Sequence, residues 1–138
     1  MAPRSDPVDD RADRAVQGTI TVIALGAFVS RVPWVVPVLA VLLAIGAFRG
    51  PAVNPFHRIF AALVAPRLSP AGTTVPAATA QAQDQLGVVL LVVATLCIII
   101  GLGVVGWFVT VAEGGVALIA ATTGVHLGVM VSERIRRK

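Results

Sequence analysis

Glu113 is the residue of this 138-residue chain with the clearest potential for acid–base chemistry, because it follows a long uncharged stretch. A carboxyl group within or next to hydrocarbon must be protonated, paired or hydrated, so it is a functional candidate by default. We therefore consider a proton or substrate role for Glu113. Two other interpretations stay open: Glu113 lies in a short outer loop that faces water, or it forms a structural ion pair with Arg31.

The two histidines are the other groups that titrate near neutral pH. His126 is predicted near the inner end of the last helix, where a neutral imidazole either hydrogen-bonds a neighbouring helix or titrates as a switch. No His, Cys or acidic residue stands three or four positions from it, so we expect no metal site within that helix. His57 stands beside Arg58, off an apolar stripe, and is predicted to be an interfacial surface residue.

The remaining residues carry no recognisable catalytic pattern. Cys97 is the single cysteine, so neither an internal disulfide nor a thiolate metal cluster can form, and we expect it in the core or facing lipid. The sequence contains no phosphate-binding loop, dinucleotide fingerprint, paired carboxylates or nucleophile motif. We therefore predict no catalytic residue, no metal, no cofactor and a protein that is not an enzyme.

Composition places the chain in a membrane. It is 57% hydrophobic and 13% charged, with a mean hydropathy of +0.89, and residues 86–112 carry no charge. A soluble helical bundle would need polar faces on its helices, which such a run does not provide. The net charge of +4 comes from basic residues at the ends of apolar runs, which is typical of membrane topology and not of nucleic-acid binding.

The pattern predicts an all-α membrane protein with four transmembrane helices in two hairpins, plus a short interfacial amphipathic helix. The first two helices are predicted over residues 15–30 and 34–48, joined by a tight outer turn at Arg31, Pro33 and Trp34. The predicted segments are a cytoplasmic N-terminal segment (1–14), a first hairpin (15–48), a cytoplasmic amphipathic helix with a flexible linker (49–85), a second hairpin (86–132) and a basic cytoplasmic tail (133–138).

The amphipathic helix has a start signal and an apolar stripe. Asn54 is suited to cap a helix and Pro55 to occupy its first position. Helical spacing of the apolar side chains predicts that one face rests in the headgroup plane. That face consists of Phe56, Ile59, Phe60 and Leu63. Residues 69–85 are rich in Ala, Thr, Pro and Gln and are predicted to form the flexible linker.

The turn of the second hairpin has two candidate positions, the glycine-rich residues 101–106 and the segment 113–115. We prefer residues 101–106, because residues 105–111 are similar to residues 32–38, which would make the protein two related hairpins. The last helix is predicted to be narrow. Ala120, Gly124 and Gly128 form a small-residue face for helix packing, against the same chain or against a second protein.

The basic residues predict the orientation, because cytoplasmic loops collect Lys and Arg. With four spans, Arg31 is the single basic residue on the outer side. The other ten lie on the inner side: Arg4, Arg11, Arg14, Arg49, Arg58, Arg67, Arg134, Arg136, Arg137 and Lys138. We therefore predict a multi-pass protein of the cell inner (plasma) membrane with both termini in the cytoplasm. The preference for Arg over Lys, with abundant Ala, Val and Gly, is typical of a GC-rich bacterial genome.

The order of these features resembles the DUF4395 family of uncharacterised bacterial integral membrane proteins. The resemblance extends over nearly the whole chain. It is carried by Val8-Asp9 with Arg11, Asn54-Pro55-Phe56, Pro66-Arg67-Leu68, Trp107 and the segment from Thr123 to Val129.

Members of that family often carry a Cys-x-Gly-Cys pair where this chain has His126-Leu127-Gly128-Val129. The resemblance implies an association with thioredoxin-like and sulfur-transfer proteins, for which such a thiol pair would exchange disulfides. With both cysteines replaced, this chain would have lost thiol exchange and would keep only the binding part of that role.

The leading hypothesis is a non-enzymatic membrane subunit or scaffold, with a redox or sulfur-handling protein as its partner. The alternative is a small transporter or proton-coupled channel that uses Glu113. A membrane thiol oxidoreductase comes third, because a second cysteine is missing. The expected partners are the lipid bilayer and a membrane or thioredoxin-like protein, with no nucleic acid, and the oligomeric state stays open.

Overall fold

A computed structural model describes residues 7–67, 73–124 and 126–138, and the account below concerns these residues. They form an all-α fold with one two-stranded sheet. In chain order the elements are β1 (Val8–Asp9), α1 (Asp10–Ser30), α2 (Val35–Arg49), a 3₁₀ turn (Pro51–Val53), α3 (Pro55–Leu63), a second 3₁₀ turn (Ala65–Arg67), β2 (Thr74–Val75), α4 (Ala77–Ile99), α5 (Gly103–Thr123) and α6 (Leu127–Arg136).

Three of the described helices, α1, α4 and α5, are long and apolar enough to cross a membrane. Helix α2 is equally apolar but has 15 residues, a length of about 22 Å against a hydrocarbon thickness of about 30 Å. Many large apolar side chains point outward, among them Val104 and Phe108, which are 87% and 77% exposed. This outward apolar surface is what a lipid-facing bundle requires.

Helix α1 begins at Asp10, five residues before its predicted start, so part of the predicted N-terminal segment is helical. Asp9 caps the helix by accepting a hydrogen bond from the Arg11 backbone N–H at 2.9 Å. Acidic residues in the first turn also interact favourably with the helix dipole. The antiparallel pair β1–β2, with Val8 opposite Val75, holds this end of α1 beside the start of α4. Residues 1–6 lie outside the described residues.

The turn after α1 agrees with the prediction. Arg31 adopts the left-handed conformation with φ of 55°, and the N–H groups of Arg31 and Val32 bond to carbonyl oxygens of the last helical turn. The chain then reverses into α2. The turn between α4 and α5 falls at residues 100–102, with Gly101 at φ of 91°. It overlaps the start of the predicted segment 101–106, of which residues 103–106 belong to α5.

The predicted linker is wrong over residues 77–85, which form the first turns of α4. Ala and Gln favour helix, and the polar side chains have partners inside the protein. Gln81 and Gln85 donate hydrogen bonds from Nε2 to the carbonyl oxygen of Ala47 at 2.8 and 3.1 Å. The Ala, Thr, Pro and Gln content of residues 69–85 predicts a solvated linker, because composition does not reveal these hydrogen-bond partners. Residues 69–72 of that linker lie outside the described residues.

The last predicted helix is interrupted. Helix α5 ends at Thr123, Gly124 takes the left-handed conformation with φ of 74°, and α6 starts at Leu127. Gly124 and Gly128 are therefore not neighbours on one helix, as the predicted packing face assumed. Gly124 lies against the Arg14 guanidinium and Gly128 against the backbone of Ala82 in α4, while Ala120 is fully buried.

The core lies between α1, α2, α4 and α5. Helix α1 packs on α5, α2 packs on α4, and α4 packs on α5. Arg31 and Phe28 at the end of α1 contact Trp107 near the start of α5, so both hairpin turns lie at one end of the bundle, here called the turn end. Helices α3 and α6 lie at the other end, here called the α6 end. The largest core side chains are Ile20, Leu39, Leu43 and Leu91.

We predict that Gly106→Ala destabilises the protein and that Gly115→Ala does not. A Cβ at Gly106 would lie 2.6 Å from Ile98 Cγ1 and 2.8 Å from the Ala94 carbonyl oxygen, whereas a Cβ at Gly115 meets nothing within 4 Å. Overpacking at Gly106 should cost about 1–3 kcal/mol, while the same change at Gly115 should add about 0.4–1 kcal/mol through reduced backbone entropy. The melting temperature of the purified protein in detergent is the measurement. Equal melting temperatures for the two variants would contradict this account of the α4–α5 contact.

Candidate functional site

A group of buried polar side chains occupies the α6 end of the bundle and extends into its centre. Each of them is at most 9% exposed. We refer to this group as the buried polar cluster: Asp13, Gln17, Asn54, His57, Gln83, Asp84, Glu113 and His126.

Asp84 stands at the middle of the cluster and is 1% exposed. Its Oδ2 accepts a hydrogen bond from Asn54 Nδ2 at 2.9 Å, and its Oδ1 accepts a longer one from Gln17 Nε2 at 3.5 Å. These bonds join α4 to α1 and to the start of α3. Within residues 7–67, 73–124 and 126–138, neither Asp84 nor Glu113 forms an ion pair with an Arg or Lys side chain. The Asp84 carboxyl group is therefore held by the neutral side-chain amides of Asn54 and Gln17.

Asn54 has two functions in this arrangement. Its Oδ1 accepts from the backbone N–H of Phe56 at 2.9 Å and caps α3, as the sequence predicts, while its Nδ2 bonds Asp84. Gly46 of α2 lies directly against the Asn54 side chain, and a Cβ at that glycine would clash with it. The helix cap therefore also orients a site residue, because one amide carries both a donor and an acceptor.

Glu113 lies at the centre of α5, about 15 Å from either helix end, and is 1% exposed. The interpretation of Glu113 as a residue of a water-facing loop is therefore wrong. Gly87 of α4 leaves room for the carboxyl group, since a Cβ there would lie 2.6 Å from Glu113 Oε1. Glu113 Oε2 has no hydrogen-bond partner among the residues that the structure describes. Asp84 stands one helical turn from Gly87 and interacts electrostatically with Glu113.

Asp84 and Glu113 are two buried acids on different helices, α4 and α5, that interact electrostatically. The sequence did not predict this, because no local motif joins them. Two buried acids that interact disfavour each other's charged form.

The candidate ion pair between Arg31 and Glu113 does not form in this structure. The Arg31 guanidinium lies over the rings of Phe28 and Trp107, at 4.6 and 5.9 Å from their centroids. Trp107 precedes Glu113 by six residues, about 9 Å along α5. Arg31 is therefore held at the turn end by two aromatic faces, which attract a cation.

His126 is the cluster residue at the break between α5 and α6. Its Nε2 lies 2.5 Å from Asp13 Oδ2, which joins this break to α1. The hydrogen bond with Asp13 raises the pKa of His126 above its ordinary value, against the opposing effect of burial. Asp13 Oδ1 is buried and has no hydrogen-bond partner. The structure thus places His126 in a charged contact with a neighbouring helix.

His57 is buried at 8% exposure, so the prediction of an interfacial surface position is wrong. Helix α3 packs on α1 and turns His57 inward, while Ile59 and Leu63 of the predicted apolar face are 57% and 64% exposed. Phe56 and Phe60, the other members of that face, are half-buried. Burial lowers the pKa of His57, and the nearby Asp13 opposes that effect.

Gln83 connects the cluster to α6. Its Oε1 accepts a hydrogen bond from the Gly128 backbone N–H at 3.0 Å, and its Nε2 is buried without a partner. Gly128 fits closely against the backbone of Ala82 and Gln83. The small residue at position 128 therefore serves contact between α6 and α4 of the same chain, one of the two alternatives left open by the sequence.

Sequence reasoning found Glu113 and His126 but missed Asp13, Gln17 and Asp84. One signal was present: Asp13, Gln17 and Thr21 recur every four residues and so lie on one face of α1. Thr21 Oγ1 accordingly bonds the Gly114 carbonyl oxygen, next to Glu113, at 3.2 Å. Polar residues at that spacing on an otherwise apolar helix indicate a buried polar face.

The model of one protein family, described as a domain of unknown function (DUF4395), matches residues 8–137. The chain belongs to the DUF4395 family. This confirms the resemblance drawn from the sequence, and every residue of the buried polar cluster lies inside the matched range. Neither the curated proteins nor the solved structures contain a match to this DUF4395 chain. The description of the family assigns no activity, so a function must be argued from the geometry of the site.

The His126–Asp13 contact predicts a pH-dependent contribution to stability. Because the pKa of His126 is raised on folding, its contribution is complete below the ordinary value of 6.5 and is lost as the pH rises through the folded value. We expect His126→Gln to cost about 1.5–3 kcal/mol at about pH 5.5 and clearly less at about pH 9. Melting temperatures of both proteins in detergent at the two pH values test this.

His57→Gln is the matched control, because the pKa of His57 is shifted in the opposite direction. Its contribution is present above pH 6.5 and is lost as the pH falls, so this variant should lose less stability at the acidic pH. A pH-independent effect of His126→Gln would contradict the proposed charged contact.

Proposed function

We propose that this DUF4395 protein is a proton-conducting membrane protein in which Glu113 takes up and releases the proton. The observation that carries the proposal is the position of Glu113 at the centre of α5, 1% exposed, with one carboxylate oxygen that has no hydrogen-bond partner in the described part of the chain. The geometry thus favours the transport alternative over the scaffold hypothesis that the sequence placed first.

Elementary electrostatics supports a protonation role. A carboxyl group inside an apolar bundle is costly unless it is protonated, paired or hydrated, and intramembrane acids commonly mark proton or ion pathways. No Arg or Lys in the described part of the chain pairs with Glu113. Its neighbour Asp84 is another acid. A proton is the simplest species that removes the charge and leaves again.

The orientation in the membrane is part of the proposal. Arg14, Arg49 and Arg58 lie on helix segments at the α6 end, as do the basic residues of α6 and its tail, while Arg31 lies at the turn end. This distribution favours a multi-pass protein of a bacterial plasma membrane with the α6 end and both termini in the cytoplasm. Proton movement through Glu113 would then connect the cytoplasm with the outside.

The test is proton influx into proteoliposomes that contain the purified full-length chain, driven by a potassium diffusion potential and followed with a pH-sensitive dye inside the vesicles. Wild-type protein should conduct protons above empty vesicles, and Glu113→Gln should reduce the rate at least about tenfold, because the amide cannot exchange a proton. Glu133→Gln, on the exposed side of α6, is the matched control and should retain the wild-type rate. A wild-type rate equal to that of empty vesicles, or an active Glu113→Gln, would overturn the proposal.

A second candidate, a non-enzymatic membrane subunit or scaffold, is supported by the surface of α6. Met130 and Ile135 are 60% and 69% exposed, beside Arg134, Arg136 and the basic residues that follow. Helix α6 packs on α4, and these exposed apolar and basic side chains are available to a partner. The family resemblance favours a thioredoxin-like or sulfur-handling protein as that partner.

Purification of the tagged protein from its native membrane in mild detergent, with mass spectrometry of stoichiometric partners, tests the second candidate. A scaffold should retain a thioredoxin-like or sulfurtransferase protein, and the double change Met130→Ser with Ile135→Ser should release it, since exposed apolar anchors dominate such contacts. Val104→Ser, at a position that is 87% exposed but lies at the turn end, serves as the control. Recovery of the chain alone or as a homo-oligomer would exclude a stable scaffold complex.

A further inference from the structure

The carboxyl groups of the buried polar cluster form a series that begins at the α6 end and leads to Glu113. Asp13 stands one helical turn before Gln17 on α1, Gln17 bonds Asp84, and Asp84 interacts electrostatically with Glu113. Asp13 and Asp84 also interact with each other. Thr21 of α1 bonds the Gly114 carbonyl oxygen, next to Glu113. Measured along α1, the series therefore extends over the two helical turns from Asp13 to Thr21, about 12 Å.

We propose that Asp13, His126 and Asp84 form a proton pathway from the α6 end of the bundle to Glu113, with the contact between Asp13 and His126 as its entrance. This inference rests on the proposed function of Glu113. It adds the end of the bundle from which the proton reaches Glu113, and three residues that pass the proton to the Glu113 carboxyl group.

Buried polar atoms without a hydrogen-bond partner among the described residues support a proton pathway and not merely a structural bond between Asp13 and His126. Asp13 is fully buried, yet only Oδ2 is engaged by His126, and Oδ1 has no hydrogen-bond partner. Glu113 Oε2 is likewise unpartnered at the other end of the series. A purely structural acid usually saturates both oxygens, because an unsatisfied buried acceptor costs about 1–3 kcal/mol. Free acceptors at both ends are what a group that exchanges a proton requires.

Transfer across gaps longer than one hydrogen bond proceeds through bridging water or through movement of side chains. Asp84 is suited to the intermediate position, because its partners Asn54 and Gln17 are amides that keep their protonation state at any physiological pH. The proton must therefore reside on the carboxyl groups, and the amides only orient Asp84.

His126 is the entrance because it occupies a break in the helical structure. Gly124 ends α5 in the left-handed conformation, and His126 itself has an extended backbone before α6. Several charged groups face it: Asp13 and Asp10 from α1, Asp84 from α4, and the Arg14 guanidinium, which lies against Gly124. The raised pKa of His126 lets its imidazole accept a proton near neutral pH.

In the described part of the chain, the opposite direction offers no comparable series of acids. From Glu113 towards the turn end, the Thr110 hydroxyl donates to the Gly106 carbonyl oxygen at 2.9 Å, and the neighbouring interior is built from Leu91, Ala94 and Trp107. The titratable groups of the pathway therefore lie on the α6 side of Glu113, and passage from Glu113 to the turn end requires bridging water or movement of side chains.

The experiment is the pH profile of proton influx in the proteoliposome assay, with the pH varied equally on both sides of the membrane. Wild-type influx should fall as the pH rises through the raised pKa of His126. Asp13→Asn should lower the rate at least about fivefold near neutral pH and move the midpoint down, because the hydrogen bond that raises the pKa of His126 is lost. His126→Gln should lower the rate by a similar factor and remove the transition assigned to His126. Asp13→Glu keeps a carboxyl group and should restore both the rate and the midpoint.

Gln81→Leu is the matched control. It removes an interhelical hydrogen bond of comparable length, from Gln81 Nε2 to the Ala47 carbonyl oxygen at 2.8 Å, without touching a titratable group. Its midpoint should stay at the wild-type pH even if its rate falls.

The outcomes separate the relay from the function on which it rests. If Glu113→Gln abolishes influx while Asp13→Asn and His126→Gln keep the wild-type midpoint, the pathway is wrong and the proposed function stands. An equal loss of rate at every pH, as for Gln81→Leu, would make the contact structural and would also overturn the pathway. If Glu113→Gln conducts like wild type, the proposed function fails and the pathway with it.

Discussion

The cost of keeping Asp84 and Glu113 away from water is the constraint around which this bundle is built. Both side chains are 1% exposed and neither has a cationic partner in the described part of the chain, so packing must bring neutral donors to them or leave their oxygens free. Asp84 receives amides from α1 and from the cap of α3. Gly87 has no side chain and so leaves room for the Glu113 carboxyl group. Contacts of these two acids thus join α4 to α1, to the start of α3 and to α5.

Small residues make that arrangement compatible with a tightly packed membrane protein. Gly46 admits Asn54, Gly87 admits Glu113, and Gly106 lets α5 approach the backbone of α4 near the turn end. Close backbone approach is the usual source of stability where lipid removes the hydrophobic drive for helix association. Here the glycines serve packing and chemistry together, because two of the three lie directly against polar side chains of the site.

Local signals in the sequence predicted the cap at Asn54, the turn after α1 and the glycine-rich turn after α4, and they made Glu113 a candidate residue. Features set by distant partners were missed. His126 and Asp13, which are in contact, stand 113 positions apart in the sequence. The composition of residues 77–85 is typical of a solvated segment, but two of their side-chain amides bond the Ala47 carbonyl oxygen of α2. Polar residues near the ends of apolar helices normally face water, so nothing local distinguishes Asp84 from a surface residue, and Asp13 is marked only by its four-residue spacing to Gln17 and Thr21.

The two ends of α5 are held by different kinds of contact. This difference bears on which contacts respond to a change of protonation in the cluster. At the turn end, Trp107 is held by Phe28 and Arg31 through ring and cation contacts that do not change with protonation near neutral pH. At the α6 end, the chain after α5 is held through His126 and Asp13, a contact that does titrate. Glu113 lies midway between them, beside Gly87 and Leu43. A proton moving along the cluster would therefore act on the His126–Asp13 contact at the α6 end and leave the Trp107 contacts at the turn end unchanged.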